Sequence, residues 1–452
     1  MMRIVKMEEC SKEAIADYKK KHDDKAIHFL SLDPMEETEK FEWQKGARNH
    51  PGPVVHKAAA KKITGFIREQ IETQRIKNVF EKIKAGEKVT VTALGGSITT
   101  GYASNPPEEK GWAALVGKWF KKIASKYKCD LTFLNEGVSG TDSAFGAVRV
   151  KNHIIDNHAD LVLLEYAMND QWLEEKTRKN SYEGVIRQIL SSGETAILSL
   201  FVNQRYYPYS SNEAEQRKIC NYYYIPCVSW KNSVFEEDLN ADFNQFFDGE
   251  EDVHPSENGH KKIAEFIIRR LEEIFKGMDN TDDATSFDKT LPPPLTQNQF
   301  QNCTYLHNKN VTPAESGEWQ AKSPVHPEWE KRGGAESGWQ CSKAGSTLSV
   351  KVRGVSVGLT YAESDGFKNA WAWVTKKDGS ESPKVLLECY SEFRKGYLGW
   401  AYREIINQNK EEEYTLHVQV TDEKCPVRGG DGDKNSFANI TGIILGGESP
   451  VQ

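Results

Sequence analysis

The stretch that decides the fold is Lys-Val-Thr-Val-Thr-Ala-Leu-Gly-Gly-Ser-Ile-Thr-Thr, residues 88–100. Its β-branched residues alternate as in a strand, and the run stops at Gly95-Gly96. Two glycines permit a sharp turn, which delivers Ser97 to the head of a helix. A serine presented in this way is a candidate nucleophile. The sequence therefore predicts a strand–turn–helix unit with Ser97 at its functional edge.

The segments around this unit alternate between strand and helix patterns. Strands are predicted at 89–94, 130–135, 160–166, 195–202 and 224–228. Helices are predicted at 112–127, within 144–157, and at 182–191, 213–222 and 257–275. Several strands are continuous apolar runs, as in strands buried on both faces. The alternation predicts a parallel, doubly wound sheet whose ligands bind at the carboxyl ends of the strands.

The sequence changes character after the last predicted helix. A segment rich in Asp, Thr and Pro predicts an extended linker. Beyond it, short strand-like runs separated by Gly, Asp and Asn predict a β-sandwich. We expect an N-terminal extension of unassigned fold at 1–54, an α/β domain at 55–280, a linker at 281–295 and a C-terminal β-sandwich at 296–452.

Composition excludes several classes of protein. The chain has 452 residues, which suggests two domains, and a net charge of −7 from 59 basic and 66 acidic residues. This charge argues against a nucleic-acid partner, and the chain has no apolar run long enough to predict a membrane span. The first residues lack an apolar leader, so we expect a cytoplasmic protein, or a secreted one if a leader was removed. Eight scattered cysteines without a Cys-x-x-Cys pair predict no metal site, and no cofactor is expected.

A second segment with candidate catalytic residues is Glu251-Asp252-Val253-His254-Pro255. A histidine can take the proton of a serine hydroxyl, and a carboxylate can orient the imidazole and stabilise its charged form. Ser97, His254 and an acid are therefore the parts of a serine hydrolase. Glu251 stands three residues before the histidine and Asp252 two residues before it.

Four segments, in order, resemble the sequence blocks of the SGNH hydrolases, the superfamily also called GDSL. They are residues 95–99, a Gly-Gly-Ser variant of the Gly-Asp-Ser block, and residues 135–141, 165–170 and 252–256. The resemblance implies a flavodoxin-like, three-layer α/β/α domain. The chain is also similar to bacterial carbohydrate acetyl esterases, notably acetylmannan esterases of carbohydrate esterase family seventeen. Some of those carry a carbohydrate-binding β-sandwich after the catalytic domain.

The resemblance also implies roles for individual residues. Ser97 would be the nucleophile and His254 the base. The oxyanion hole would consist of the backbone N–H groups of Ser97 and Gly140 and the side-chain amide of Asn169.

The identity of the acid stays open at this point. The family usually places its acid three residues before the histidine, which favours Glu251, whereas residue type favours Asp252. A backbone carbonyl that orients His254 is a third alternative.

Four aromatic residues are candidates for binding a sugar: Tyr166 and Trp172 near the third block, and Trp371 and Trp373 in the sandwich, although core packing is commoner for any single tryptophan. The resemblance to carbohydrate acetyl esterases implies an acetylated glycan as the partner, and removal of O-acetyl groups from plant polysaccharides or oligosaccharides, above all β-mannan, as the reaction. Acetylxylan hydrolysis, acyl transfer and non-catalytic glycan binding are the alternatives.

Overall fold

The structure is a computed structural model that describes residues 53–250, 252–278, 290–322, 338–365, 367–391, 399–423 and 437–447. Contacts divide the chain into two compact units, with boundaries after Glu81, after Glu272 and after Thr285. The smaller unit contains most of helix α1 (Pro53–Lys84), where Phe80 packs edge-on against Phe275 with ring centroids 5.0 Å apart. Nearly all of the predicted extension at 1–54 lies outside the described residues.

A five-stranded parallel sheet forms one half of the larger unit. Its strands are β1 (Val89–Gly95), β2 (Leu131–Gly137), β3 (Leu161–Glu165), β4 (Ala196–Phe201) and β5 (Cys227–Ser229). The order β2-β1-β3-β4-β5 is that of flavodoxin-like folds and confirms the predicted class. The central strands β1, β3 and β4 are buried along their whole length, which explains their apolar sequences. Strand β5 begins later than predicted because Tyr224 has a φ of +53°, outside strand geometry.

Helices connect these strands, and most lie where the sequence predicts them. They are α2 (Ser97–Thr100), α3 (Pro107–Lys110), α4 (Trp112–Tyr127), α5 (Ser143–Val150), α6 (Ala167–Asp170), α7 (Glu175–Ser191), α8 (Glu213–Tyr222), α9 (Trp230–Glu237) and α10 (Glu257–Lys276). Helix α7 starts two turns before the predicted residue 182, because its first turns are polar and carry ion pairs such as Arg178 with Glu215, at 2.7 Å, instead of an apolar stripe. None of the described helices is both long and apolar enough to cross a membrane.

Arg149 of α5 holds the carboxyl ends of three neighbouring strands together. It is buried, and its guanidinium donates to the carbonyl oxygens of Glu136 at 2.9 Å and Gly95 at 3.4 Å, and to the hydroxyl of Tyr166 at 2.9 Å. Glu136 and Gly95 lie at the ends of β2 and β1, and Tyr166 directly follows the last residue of β3. Arg149 therefore fixes the edge of the sheet from which the predicted functional residues emerge.

The other half of the larger unit is an antiparallel, sandwich-like sheet, as predicted. Its strands are β6 (Cys303–Leu306), β7 (Gln320–Lys322), β8 (Gly338–Cys341), β9 (Thr347–Glu363), β10 (Ala370–Lys376), β11 (Val385–Leu387), β12 (Gly399–Val420) and β13 (Ala438–Gly446). The order is β11-β10-β12-β9-β13-β8-β7, and β6 pairs with β13. The longest pairing joins β9 to β12 across two register shifts, so strands of this sheet are longer than the short runs that the sequence suggests.

The described end of the predicted linker is anchored on α7. The backbone N–H groups of Leu295 and Thr296 donate to the carboxylate of Glu183 at 2.7 and 2.8 Å. Arg187 donates to the carbonyl oxygen of Pro292 at 2.7 Å. The chain between the two sheets is therefore tied to the α/β half from residue 292 onward, while the domain limits at 280 and 295 stay a prediction.

Candidate active site

Ser97 and His254 meet at the carboxyl end of the parallel sheet. Ser97 begins α2 directly after β1, and His254 lies in the loop that leads into α10. Ser97 Oγ is 2.8 Å from His254 Nε2, although the two residues are 157 positions apart in sequence. If the hydroxyl donates, Nε2 is unprotonated, which is the form that a general base requires.

The turn before Ser97 tolerates only glycine, because of crowding. Gly96 has a φ of −91°, which any residue can adopt. A Cβ at Gly96 would lie 2.6 Å from Oδ1 of Asn169, and a Cβ at Gly95 would lie 2.5 Å from the carbonyl oxygen of Glu165. The two glycines are thus required by close approach of neighbouring groups, whereas the sequence pattern suggested turn flexibility.

The neighbourhood of Gly96 joins the two loops that carry the other predicted residues. The side-chain amide of Asn169 in α6 lies next to Gly96. The carbonyl oxygen of Thr141 is also close, since it would lie 3.1 Å from a Cβ built on Gly96. Gly140, next to Thr141, has a φ of +73°, and a Cβ on it would meet nothing within 4 Å. Its backbone conformation favours glycine, and that side of it faces open space.

Two aspartates, the buried Asp170 and the partly buried Asp142, organise these loops. Asp170 accepts hydrogen bonds from the backbone N–H of Ser143 and from the side chain of Gln216, both at 2.8 Å. Asp142 caps α5 by accepting from the N–H of Phe145 at 3.1 Å. Burial raises the pKa of Asp142 to about 6 and that of Asp170 well above its usual range. Asp170 thereby ties the helix of Asn169 to the segment that follows Gly140.

The acid that would orient His254 is not decided by the described contacts. Glu251 lies outside the described residues. Asp252 is exposed, and its backbone carbonyl accepts from the N–H of Arg205 at 2.9 Å. The choice between Glu251 and Asp252 therefore stays a prediction.

His260 is connected to His254 through Tyr102, an arrangement that the sequence pattern does not predict. The backbone N–H of Trp112 donates to Nδ1 of His260 at 3.4 Å, so the ring proton sits on Nε2, which donates to the carbonyl oxygen of Tyr102 at 2.9 Å. The Tyr102 ring in turn packs against His254, with centroids 4.4 Å apart. Burial lowers the pKa of His260 to about 4, so the ring is neutral near pH 7.

The four aromatic candidates have different surroundings. Trp172 is 74% exposed, and its backbone N–H donates to the carbonyl oxygen of Asn169 at 3.2 Å. Tyr166 requires a correction: it is fully buried beneath Arg149, with its pKa raised to about 12 by burial, and offers no surface to a substrate. The strand β3 ends just before Tyr166, and the side chain continues into the core.

The two sandwich tryptophans contact residues of the sandwich itself. Trp373 is also buried: its N–H donates to Glu381 at 3.1 Å, and its ring stacks on His417 at 5.0 Å. Trp371 is half-buried and lines a cavity of about 550 Å³ together with Lys384 and other sandwich residues. A substrate contact for either one stays a prediction.

The chain is similar to known proteins in sequence and in fold. Residues 93–262 match the GDSL-like Lipase/Acylhydrolase family model. The chain is similar in structure to a two-domain esterase (CEX) active on acetylated mannans, with 24% identity over 83% of this chain and 96% of that chain and a TM-score of 0.70. The structure of CEX co-crystallised with mannopentaose matches at 23% identity over 84% and 96% of the two chains, with the same TM-score of 0.70. No curated protein sequence matches the chain significantly. The structural likeness establishes a shared two-domain fold.

Replacing His260 by glutamine should reduce the acid sensitivity of folding. The pKa of His260 is about 4 in the folded protein, against about 6.5 in an unfolded chain, so the unfolded chain binds the proton first. The stability that neutral His260 contributes is complete above about pH 6.5 and is lost as the pH falls towards 4. We expect the wild type to lose about 2 kcal/mol more free energy of unfolding than H260Q between about pH 7 and 4.5, measured by chemical denaturation.

The exposed His158 provides the matched control, because H158Q removes an imidazole without touching the buried contacts. This variant should follow the wild type at each pH. Equal acid sensitivity of H260Q and the wild type would contradict a buried neutral His260.

Proposed function

We propose that this chain is a carboxylic ester hydrolase that removes O-acetyl groups from β-mannan. The match of residues 93–262 to the GDSL-like Lipase/Acylhydrolase family model supports an ester hydrolase. The observation that carries the proposal is the 2.8 Å contact between Ser97 Oγ and His254 Nε2. Beside it, Asn169 and the loop of Gly140 converge on Gly96, where an oxyanion can be bound.

The first half of the reaction transfers the acetyl group to the enzyme. Ser97 Oγ attacks the ester carbonyl carbon while His254 Nε2 takes the hydroxyl proton. The oxyanion accepts hydrogen bonds from the N–H groups of Ser97 and Gly140 and from the Asn169 amide. One such donor typically contributes ~10²–10³ in turnover, because it is in place before the charge develops.

The first half ends when the bond between the acyl carbon and the sugar oxygen breaks and His254 returns its proton to that oxygen, which leaves the acetyl group on Ser97. The second half releases acetate. A water molecule then attacks the acetyl-Ser97 ester while His254 acts again as the base, and acetate leaves with Ser97 restored. The scheme uses side chains and backbone amides of this chain alone.

Exposed aromatic rings beside the catalytic pair support a glycan substrate. Tyr102 is 53% exposed and touches His254, and Trp172 is 74% exposed and follows Asn169. Tyr206 is 52% exposed, and its neighbour Arg205 is hydrogen-bonded to the loop of His254 through Asp252. Such rings can stack on sugar faces. The similar two-domain esterase CEX acts on acetylated mannans, which supports mannan over xylan for this chain.

The wild type should release acetate from acetylated manno-oligosaccharides faster than from acetylated xylo-oligosaccharides. S97A should lose at least about 10⁴-fold in kcat, since the nucleophile is gone. NMR of the acetyl signals before and after treatment reports the substrate and the hydroxyl position together.

Other outcomes of this experiment separate the alternatives. Faster release of acetate from the xylo-oligosaccharides would identify an acetylxylan esterase. New ester on an added sugar acceptor, with less acetate, would identify an acyltransferase. No release from either glycan and no burst with p-nitrophenyl acetate would contradict an esterase and leave a glycan-binding protein.

Two variants should identify the acid. We expect E251Q to lower kcat by at least about 10²-fold, because an amide cannot stabilise the imidazolium, and D252N to stay within about threefold of the wild type. The reverse pattern would assign the role to Asp252. Near-normal turnover of both variants would contradict a carboxylate triad and favour a backbone carbonyl as the partner of His254.

A further inference from the structure

We propose that Glu165 is a positioning residue of the catalytic turn, whose buried carboxyl group holds the segment from Gly96 to Thr99 so that Ser97 is ready to react. The inference rests on the proposed function. It adds a residue outside the Ser–His–acid set and outside the three oxyanion donors.

The position of Glu165 follows from the register of the parallel sheet. Glu165 is the last residue of β3 and lies opposite Gly95, the last residue of β1. Its side chain is fully buried. Oε2 accepts a hydrogen bond from the hydroxyl of Thr99 at 3.0 Å, and Thr99 is itself fully buried. The carboxyl group therefore lies directly under the turn that presents the nucleophile.

The buried carboxyl group of Glu165 is unfavourable for the stability of the folded protein. Its other carboxyl oxygen, Oε1, is buried and has no hydrogen-bond partner among the described residues. Burial raises the pKa of Glu165 to about 7, even though the Thr99 hydroxyl and the Gly96 N–H act to lower it. A protein with a buried carboxyl group that has one unpaired oxygen is commonly less stable than the same protein with an apolar side chain of similar volume there. Its presence under the nucleophile indicates a contribution to activity.

The contribution is the placement of the segment around Ser97. Thr99, two residues after Ser97, donates to the Glu165 carboxyl group, and Gly95, two residues before Ser97, is paired with Glu165 in the sheet. Ser97 lies between these two contacts in the sequence. An oxyanion donor acts through being in place before charge develops, and misplacement by about 1 Å can cost about 10²-fold in rate.

The central test replaces Glu165 by methionine, which fills similar volume and removes the acceptor. With p-nitrophenyl acetate we expect kcat of E165M to fall by about 10- to 100-fold with KM within about threefold, because the acyl group still binds but the turn is looser. The melting temperature should stay or rise. E165Q keeps an acceptor for Thr99 and should recover kcat to within about fivefold of the wild type.

A second pair of variants tests the same contact from the other side. T99V removes the hydroxyl that donates to Glu165 and should lower kcat, as E165M does. Thr92 is the matched control: it is buried in β1, and its hydroxyl has no hydrogen-bond partner among the described residues. T92V should therefore keep kcat within about twofold of the wild type.

The outcomes distinguish this inference from the proposed function. A wild type as inactive as S97A overturns the proposed function, and the role of Glu165 falls with it. If the wild type is active and either E165M or T99V keeps the wild-type kcat, the positioning role is overturned. Parallel losses of kcat and melting temperature in E165M and E165Q also overturn it, because they indicate structural support only. If E165M fails to fold, T99V against T92V decides.

Discussion

The proposed active site depends on glycine at position 96, which has no side chain. A Cβ there would lie 2.6 Å from the amide oxygen of Asn169. Without it, the helix of Asn169 and the loop of Gly140 can approach the backbone beside Ser97. Arg149 beneath them binds the ends of β1, β2 and β3, so the approach is fixed by the sheet and does not depend on a flexible loop.

Stability and activity make opposite demands in this region. Glu165 and Asp170 are fully buried and Asp142 is partly buried, and burial raises the pKa of all three carboxyl groups. Each constrains backbone near the proposed nucleophile or oxyanion donors, and His260 does the same beneath Tyr102. A core built for stability alone would place apolar side chains at several of these positions. The pattern is that of a preorganised site, in which folding energy holds reactive groups in place.

The sequence predicts most of the fold because its strands carry strong local signals. The buried strands of the parallel sheet are continuous apolar runs, and Ser97 and His254 stand at the ends of such elements. Long-range crowding leaves no such signal: the contact of Gly96 with Asn169 and the burial of Tyr166 depend on which elements become neighbours. The role of Glu165 is hidden for the same reason, since its partner Thr99 is 66 residues away in sequence.

The proposed mechanism requires Ser97 to carry the acyl group. Mass spectrometry of the protein quenched with acid during its first turnover of p-nitrophenyl acetate detects this intermediate. One acetyl group is expected on the peptide that contains Ser97, and none in S97A treated in the same way. Release of acetate by the wild type without acetylation of Ser97, or with the acetyl group on another residue, would contradict it.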